Sequence, residues 1–405
     1  MIDPFTIKKA GYKGIQRAMK AVASVLPFPQ PTLFTGPGSS LELCDAIAQH
    51  DERKILIITD KTLLEIGLLQ QIEERLQHNG VSYSVFDGVL PDPTFAEIEA
   101  ALAKLDAERC EGVLAVGGGS VIDCAKVVCA AATNRKSIQR LSGMFKVFKA
   151  PLPLFAVPTT AGTGSEVTLA AVVSDPATQR KFSILDPKLT PLMAALDGAL
   201  MTGLPPAITA ATGMDALTHA IEAYLSRNAF DDTDRHALAA TRLIMDNLPA
   251  AYADGRNAET RQQMAQASYY AGLAFTKAGV GYVHAIAHAF GGRYHTPHGL
   301  ANAIVLPHVL DFSRDAVVPR LAKLAEVSGL ETGDDASRAD AFIARVRELC
   351  QRFAIPETLD ALRAADIPAL ARGALKEAHL TYAVPKYMDQ PTCERLIRRM
   401  LPNPR

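Results

Sequence analysis

The sequence predicts two halves of different class, an α/β N-terminal domain followed by an all-α C-terminal domain. Three observations carry this. At 405 residues the chain is too long for one ordinary hydrophobic core, since domains run to roughly 100–200 residues. From about Phe34, short β-rich runs alternate with helical stretches, the rhythm of βα units on a parallel sheet. After "GLPPAIT" that rhythm stops, and Ala-rich helical stretches run to the C-terminus.

Taken in order, residues 1–30 form a basic extension. "TIKKAGYKGIQRAMKAVASVLPF" has almost no acids and is amphipathic at helical spacing, which suits a transit peptide, a membrane-surface helix, or a helix docked on the body and stopped by "PFPQP". Residues 31–203 form the α/β domain. Its strands are "ILIIT" (55–59), "SYSVF" (82–86), "GVLAV" (112–116) and "LFAV" (154–157), and "LLEIGLLQQIEERLQHNG" reads as one crossover helix stopped at Gly80. "VTLAAVVSD", "KFSILDP" and "LMAALDG" add extended pieces. Residues 204–405 form the helical domain, opened by Pro205 and Pro206 where a helix would begin. A cleft between the two domains is the expected ligand site.

Composition excludes several classes. Hydrophobic residues at 48%, charged residues at 21% and a net charge of -1 describe an ordinary globular chain with no basic patch for nucleic acid. The six cysteines show no CxxC pair and no framework spacing, which predicts reduced thiols in a cytoplasmic protein. No apolar run approaches the roughly 18 residues that cross a bilayer, so no integral membrane segment is expected.

Two loops in the first domain suit a phosphorylated ligand. In "GVLAVGGGSVIDCAK" (112–126), glycines 117 to 119 let backbone N–H groups close on an anion at the start of a helix that Ser120 can cap, although a plain tight turn reads equally well. Asp60 ends a strand where a carboxylate accepts ribose hydroxyls and repels a 2'-phosphate, favouring NAD over NADP; capping the next helix is its other reading. "VPTTAGTGSE" (157–166) supplies Thr159, Thr160, Thr163 and Ser165 as further donors, unless it is a solvated linker.

The second domain carries a histidine constellation. "TGMDALTHAIEAYL" sets Asp215 and His219 four apart on one helical face, "GYVHAIAHAFGG" repeats the device with His284 and His288 before Gly291 and Gly292 end the helix, and "TPHG" places His298 at a turn. Three imidazoles and one carboxylate can hold one divalent ion, and mixed N/O ligation without thiolate suits iron(II), zinc, manganese or nickel. Five groups exceed four ligands, which leaves one histidine for proton transfer. His288 is preferred, although spacing does not separate it from His284. His295 and His308 are read as structural.

Together "ITDKTL", "GGGSVIDCAK", "PTTAGTGSEVT", "GMDALTHAIE" and "VHAIAH…TPHGLANAIVLPHV" resemble the iron-containing (group III) alcohol dehydrogenase family from about residue 30 to the C-terminus. The resemblance implies a dinucleotide-binding α/β domain, a helical metal-binding domain and an active site in the interdomain cleft. It places the metal ligands on Asp215, His219, His284 and His298, with iron(II) first and zinc second. It sets His288 near the nicotinamide, maps cofactor contacts to Asp60, Gly118, Gly119, Ser120, Asp123, Thr159, Thr160 and Lys181, and puts Phe275 of "GLAFTKAG" in the substrate pocket. It also implies a homodimer or larger homo-oligomer.

Departures from the family pattern are specific. "PDPT" sets Asp92 where the family commonly has Asn, so that contact is not carried over. Lys277 replaces a common Asn and either attracts an acidic substrate or points to solvent. The expected reaction is hydride transfer between the nicotinamide C4 and the carbinol carbon of a small alcohol or aldehyde, with the metal as Lewis acid. Its rivals are a metal- and NAD-dependent lyase of the dehydroquinate synthase type and a non-enzymatic assembly subunit.

Overall fold

The computed structural model describes residues 4–175 and 180–402. The chain divides into two compact units. One comprises Pro27–Leu204 and Asp254–Tyr269; the other comprises the N-terminal stretch to Leu26, Pro205–Ala253 and the chain from Tyr270 onward.

After helix α1 (Pro4–Val25), which belongs to the helical unit, the α/β unit runs β1 (Thr32–Thr35), α2 (Ser39–Gln49), β2 (Lys54–Ile58), α3 (Lys61–Glu65), α4 (Gln70–His78), β3 (Ser82–Phe86), α5 (Phe95–Glu108) and β4 (Gly112–Gly117). It continues with α6 (Gly119–Asn134), α7 (Ile138–Leu141), β5 (Gly143–Met144), β6 (Leu154–Pro158), β7 (Ala170–Asp175), β8 (Arg180–Leu185) and β9 (Met193–Leu196). Six strands form a parallel sheet in the order β1-β9-β6-β4-β2-β3. Side chains alternate along each strand. Leu56, Ile58, Val113, Ala115, Leu154 and Ala156 therefore pack on one face with α5 and α6, while Ile55, Ile57, Leu114, Val116, Phe155 and Val157 pack on the other with α2 and α4. Burial on both faces is why these strands read as unbroken apolar runs.

Chain order reverses between β2 and β4: β3 lies outside β2 on one side, and β6, β9 and β1 follow β4 on the other. At such a switch point the loops leaving the carboxyl ends of the two central strands diverge and open a crevice for ligands. The loop after β2 holds Asp60, while Gly118 follows β4 and Gly119 and Ser120 open α6.

Two expectations change here. The single crossover helix is split into α3 and α4, because Gly67 takes a left-handed φ of 73° between them. "VTLAAVVSD" and "KFSILDP" form β7 and β8, an antiparallel pair that joins β5 in a separate three-stranded sheet, and only "LMAALDG" enters the main sheet, as β9.

From Pro205 onward every regular element among the described residues is helical: α8 (Pro206–Leu225), α9 (Asp231–Ala253), α10 (Ala258–Ala278), α11 (Tyr282–Tyr294), α12 (His298–Ser313), α13 (Val318–Val327), α14 (Asp335–Arg352), α15 (Ile367–Thr381) and α16 (Gln390–Arg398), with short 3-10 turns between some of them. Helix α8 is buried along nearly its whole length, packed against α9 and α12. No helix among the described residues is long and apolar enough to cross a membrane.

Helix α1 is docked on its own unit. Gln16, 4% exposed, donates to the carbonyl of Tyr382 at 2.6 Å and accepts from the Tyr387 hydroxyl at 2.7 Å. Lys20 Nζ donates to the carbonyls of Arg227 and Ala229, and Tyr12 lies against His379 at 4.8 Å between ring centroids.

Candidate functional site

Helix α8 begins with Pro205 as its cap and Pro206 in its first turn, so φ is preset where an N–H has no partner anyway. Two turns on it presents Asp215 and, one turn further, His219. Helix α11 presents His284 and His288, and α12 opens with His298 directly after Pro297. Gly299 explains how α12 reaches α8: a Cβ there would stand 2.4 Å from the Ala211 carbonyl oxygen, so only glycine lets His298 come beside Asp215.

One ligand atom from each of Asp215, His219, His284 and His298 lies within 4.8 Å of the others. His284 Nε2 and His298 Nε2 stand 3.9 and 3.6 Å from Asp215 Oδ1. Asp215, His219 and His284 are buried and His298 is half-buried. Burial, together with the neighbouring imidazoles of His219, His298 and His288, holds the His284 pKa well below its ordinary value, so this ring is neutral with a lone pair to give. Four N/O donors converging at this spacing fit a single divalent ion of the iron or zinc type.

A second layer fixes the rings. The Nδ1 of His284 lies 2.6 Å from Glu222 Oε2, and the same carboxylate accepts the backbone N–H groups of Gly281 and Val283 at 2.9 and 2.7 Å. Burial lifts Glu222 to about 7 against the pull of those bonds. The N–H on Nδ1 turns Nε2 of His284 into the free donor, the arrangement that metal-binding histidines commonly show. His288 does not join the cluster of four. Its Nδ1 bonds Glu377 Oε1 at 2.7 Å, and Tyr382 donates to the same oxygen at 2.6 Å. Burial alone would raise Glu377, but the bonds from His288 and Tyr382 keep it below the ordinary carboxylate range. Phe275 stacks on the His219 ring with centroids 4.1 Å apart and planes 16° apart, an apolar wall beside the cluster.

Lys277 does not point freely to solvent. Its ammonium bonds Asp232 Oδ2 at 2.7 Å and covers the Phe230 ring. Glycines 291 and 292 do not end α11, which runs on to Tyr294 and closes on His295 in the left-handed conformation. Burial holds the His308 pKa below its ordinary value.

In the α/β unit, Gly118 rather than Ser120 caps α6. A Cβ on Gly119 would meet the Thr163 side chain at 2.6 Å, so that glycine lets the loop leaving β4 pack against the loop leaving β6. Strand pairing puts Gly117 opposite Pro158, which sets Thr159 and Thr160 beside the glycine turn. Asp60 caps α3, its Oδ1 accepting from Leu63 N at 3.0 Å. Asp123 accepts from Ser165 Oγ at 2.5 Å and from Val172 N at 2.9 Å, bracing the second loop and β7. Lys181 bonds Asp92 Oδ1 at 2.7 Å, while Asp92 N donates to Ser120 Oγ at 3.2 Å.

Sequence reasoning missed Glu222, Glu377, Tyr382 and Asn302. Glu222 was findable, three residues after His219 on the same helical face, and Asn302 follows His298 by four. Glu377 and Tyr382 lie far along the chain from His288, and no spacing rule connects them.

Comparison with known proteins matches the two halves of the chain to one family. The model described as "Iron-containing alcohol dehydrogenase" matches residues 30–198, and "Fe-containing alcohol dehydrogenase family, C-terminal" matches 209–401. Alcohol dehydrogenase 4 of Saccharomyces cerevisiae is 40% identical over 357 residues, covering 87% of this chain and 93% of the yeast protein. The crystal structure of a 1,3-propanediol oxidoreductase superposes with a TM-score of 0.89 at 36% identity, covering 93% of this chain and 100% of that one. The sulfoacetaldehyde reductase of Bifidobacterium kashiwanohense, solved in complex with NAD+, gives 0.84 at 29% identity, covering 93% and 98%. With both models in sequence order across nearly the whole chain, the protein belongs to the iron-containing alcohol dehydrogenase family.

Proposed function

We propose that the protein is an NAD-linked alcohol dehydrogenase and aldehyde reductase that holds iron(II) on Asp215, His219, His284 and His298 and acts on small alcohols, diols or their aldehydes. The observation that carries the reading is the convergence of these four donors within 4.8 Å, three of them buried. When bound, the ion supplies a Lewis acid for the substrate oxygen and the nicotinamide C4 accepts or returns the hydride.

The chain's own residues do the rest. Glu222 keeps the Nε2 lone pair of His284 turned inward. Glu377, held by Tyr382, fixes the His288 ring through Nδ1, which leaves its Nε2 to take the hydroxyl proton in oxidation and return it in reduction. Phe275 gives the pocket an apolar wall that suits a short carbon chain and excludes water from the reacting carbon. For the cofactor, the crevice between the carboxyl ends of β2 and β4 sets the α6 N-terminus toward a pyrophosphate and Asp60 toward ribose hydroxyls. The anionic Asp60 favours NAD over NADP. A cytoplasmic homo-oligomer completes the proposal, supported by six buried free cysteines and by β1, an edge strand that exposes Leu33.

The test is isotopic. Oxidation of 1,3-propanediol or another small primary alcohol carrying deuterium on the carbinol carbon should give NADH with one deuterium at C4, read by mass spectrometry. Turnover without deuterium in the nicotinamide would overturn the dehydrogenase reading and bring forward the lyase class.

A further inference from the structure

Helix α1 lies outside the residues matched by either family model, yet its contacts fall on the residues that hold the partner of His288. Both ends of the buried Gln16 amide are used: Nε2 donates to the Tyr382 carbonyl at 2.6 Å and Oε1 accepts from the Tyr387 hydroxyl at 2.7 Å. Tyr382 closes α15, its own N–H bonded to the Ala378 carbonyl. Its hydroxyl donates to Glu377 Oε1 at 2.6 Å, and that oxygen bonds His288 Nδ1 at 2.7 Å. The backbone and side chain of one tyrosine therefore join α1 to the histidine assigned to proton transfer.

Docking alone does not ask for this residue. An apolar side chain at position 16 would bury as much surface with no polar group to satisfy, whereas a buried amide is costly unless both its ends are paired. What the two bonds add is direction. Residues 382–389, between α15 and α16, form neither helix nor strand, so no regular ladder of backbone bonds sets their path. Gln16 holds this segment at Tyr382 and Tyr387, and Arg227 N holds it again at the Ala383 carbonyl, 2.8 Å away. Tyr12 adds a second contact, against His379, whose Nε2 lies 2.8 Å from the hydroxyl of Tyr282, the first residue of α11. Helix α1 thus bears on α15, which carries Glu377, and through His379 on α11, which carries His288.

We propose that Gln16 is a positioning residue of the active site: by fixing the Tyr382 backbone it aims the tyrosine hydroxyl at Glu377, and so keeps the His288 ring turned with Nδ1 to that carboxylate and Nε2 free. The inference rests on the reading of His288 as the proton-transfer group and goes beyond it, since it gives α1 a part in the reaction. A small displacement of such a support is felt at the reacting atoms, because proton transfer needs hydrogen-bond distance and alignment.

The test uses the full-length protein and Gln16→Met, which keeps the length of the side chain and removes its amide. In metal-free protein labelled with heavy nitrogen in histidine, the ring-nitrogen shifts of His288 report which nitrogen carries the proton. The parent should hold it on Nδ1, and Gln16→Met should mix the two tautomers. After loading with iron(II), the single-turnover rate of NADH formation from 1,3-propanediol should fall about tenfold or more in Gln16→Met, with the iron affinity of the parent. Tyr382→Phe, which removes the hydroxyl that holds Glu377, should lose at least as much. Adding Gln16→Met to it should cost nothing further, because the two act in series. A helix that only stabilises the fold would leave the His288 shifts parental and make the two losses multiply, and either result overturns the proposal. Mixed tautomers with a parental rate would instead remove His288 from proton transfer, and with it the reading beneath. If Gln16→Met loses helical circular dichroism, Tyr387→Phe, which frees the Gln16 oxygen without altering α1, decides on the same two readouts.

Discussion

Glu222 is the residue on which the order of the candidate metal cluster turns. It ties the Nδ1 of His284 and two backbone N–H groups of the turn that opens α11, so one carboxylate sets both the ring and the helix that carries it. Glu222→Gln keeps the size and an acceptor but lowers the basicity of the partner. Metal affinity should fall about tenfold or more, measured by chelator competition, while the far-ultraviolet circular dichroism stays that of the parent. Unchanged affinity would mean that the cluster is organised without it. At this scale the candidate ligands were legible in the sequence because Asp215 and His219, and His284 and His288, sit four apart, which puts each pair on one face of a helix. Spacing did not reveal which member of the second pair leaves the cluster. That is decided by Glu377, which lies about ninety positions further along the chain and bonds His288 Nδ1.

At the scale of elements, the amphipathic α1 is held down through an aromatic nest. Met388 N donates to the Tyr282 hydroxyl at 2.8 Å, and that hydroxyl lies 2.8 Å from His379 Nε2. With Met388 N donating to the hydroxyl oxygen, the tyrosine hydrogen is available to Nε2 of a neutral His379. Burial accordingly lowers its pKa to about 4 from an ordinary 6.5, against the small opposite pull of the Met388 bond. Between these values the unfolded chain takes up a proton that the folded chain refuses. Stability is therefore complete above pH 6.5 and is lost as the pH falls toward 4, by up to about 3 kcal/mol from this group. Denaturant unfolding of the parent and of His379→Gln, which keeps an acceptor but does not titrate, should diverge over that interval, the parent losing more. Parallel pH profiles would show that the nest tolerates a charged ring. The amphipathic pattern announced a helix over this region but offered three fates for it, because a basic outer face serves a transit peptide, a membrane surface and a docked helix alike. Docking depends on Gln16 and Tyr12 meeting partners more than 360 residues away, which no local pattern contains. The crossover after β2 differs from its sequence pattern for a related reason: its apolar spacing is helical throughout, and only the left-handed Gly67 interrupts it.

For the molecule as a whole, the class of each half was legible because burial imposes different periods on a parallel sheet and on a helical bundle. Strands β2, β4 and β6 are apolar on both faces, whereas the helical unit concentrates Ala and Leu at helical spacing. The separate sheet of β5, β7 and β8 was not legible, since "VTLAAVVSD" and "KFSILDP" have the composition of any strand and sheet membership depends on pairing. At this scale the proposed activity depends on one divalent ion held by the four-donor cluster. Its most direct test is the rate of NADH formation from 1,3-propanediol as the protein is stripped with a chelator and titrated with iron(II). Activity should disappear on stripping and return in proportion to iron until one equivalent per chain is bound. Full turnover by the stripped, metal-free protein would contradict it.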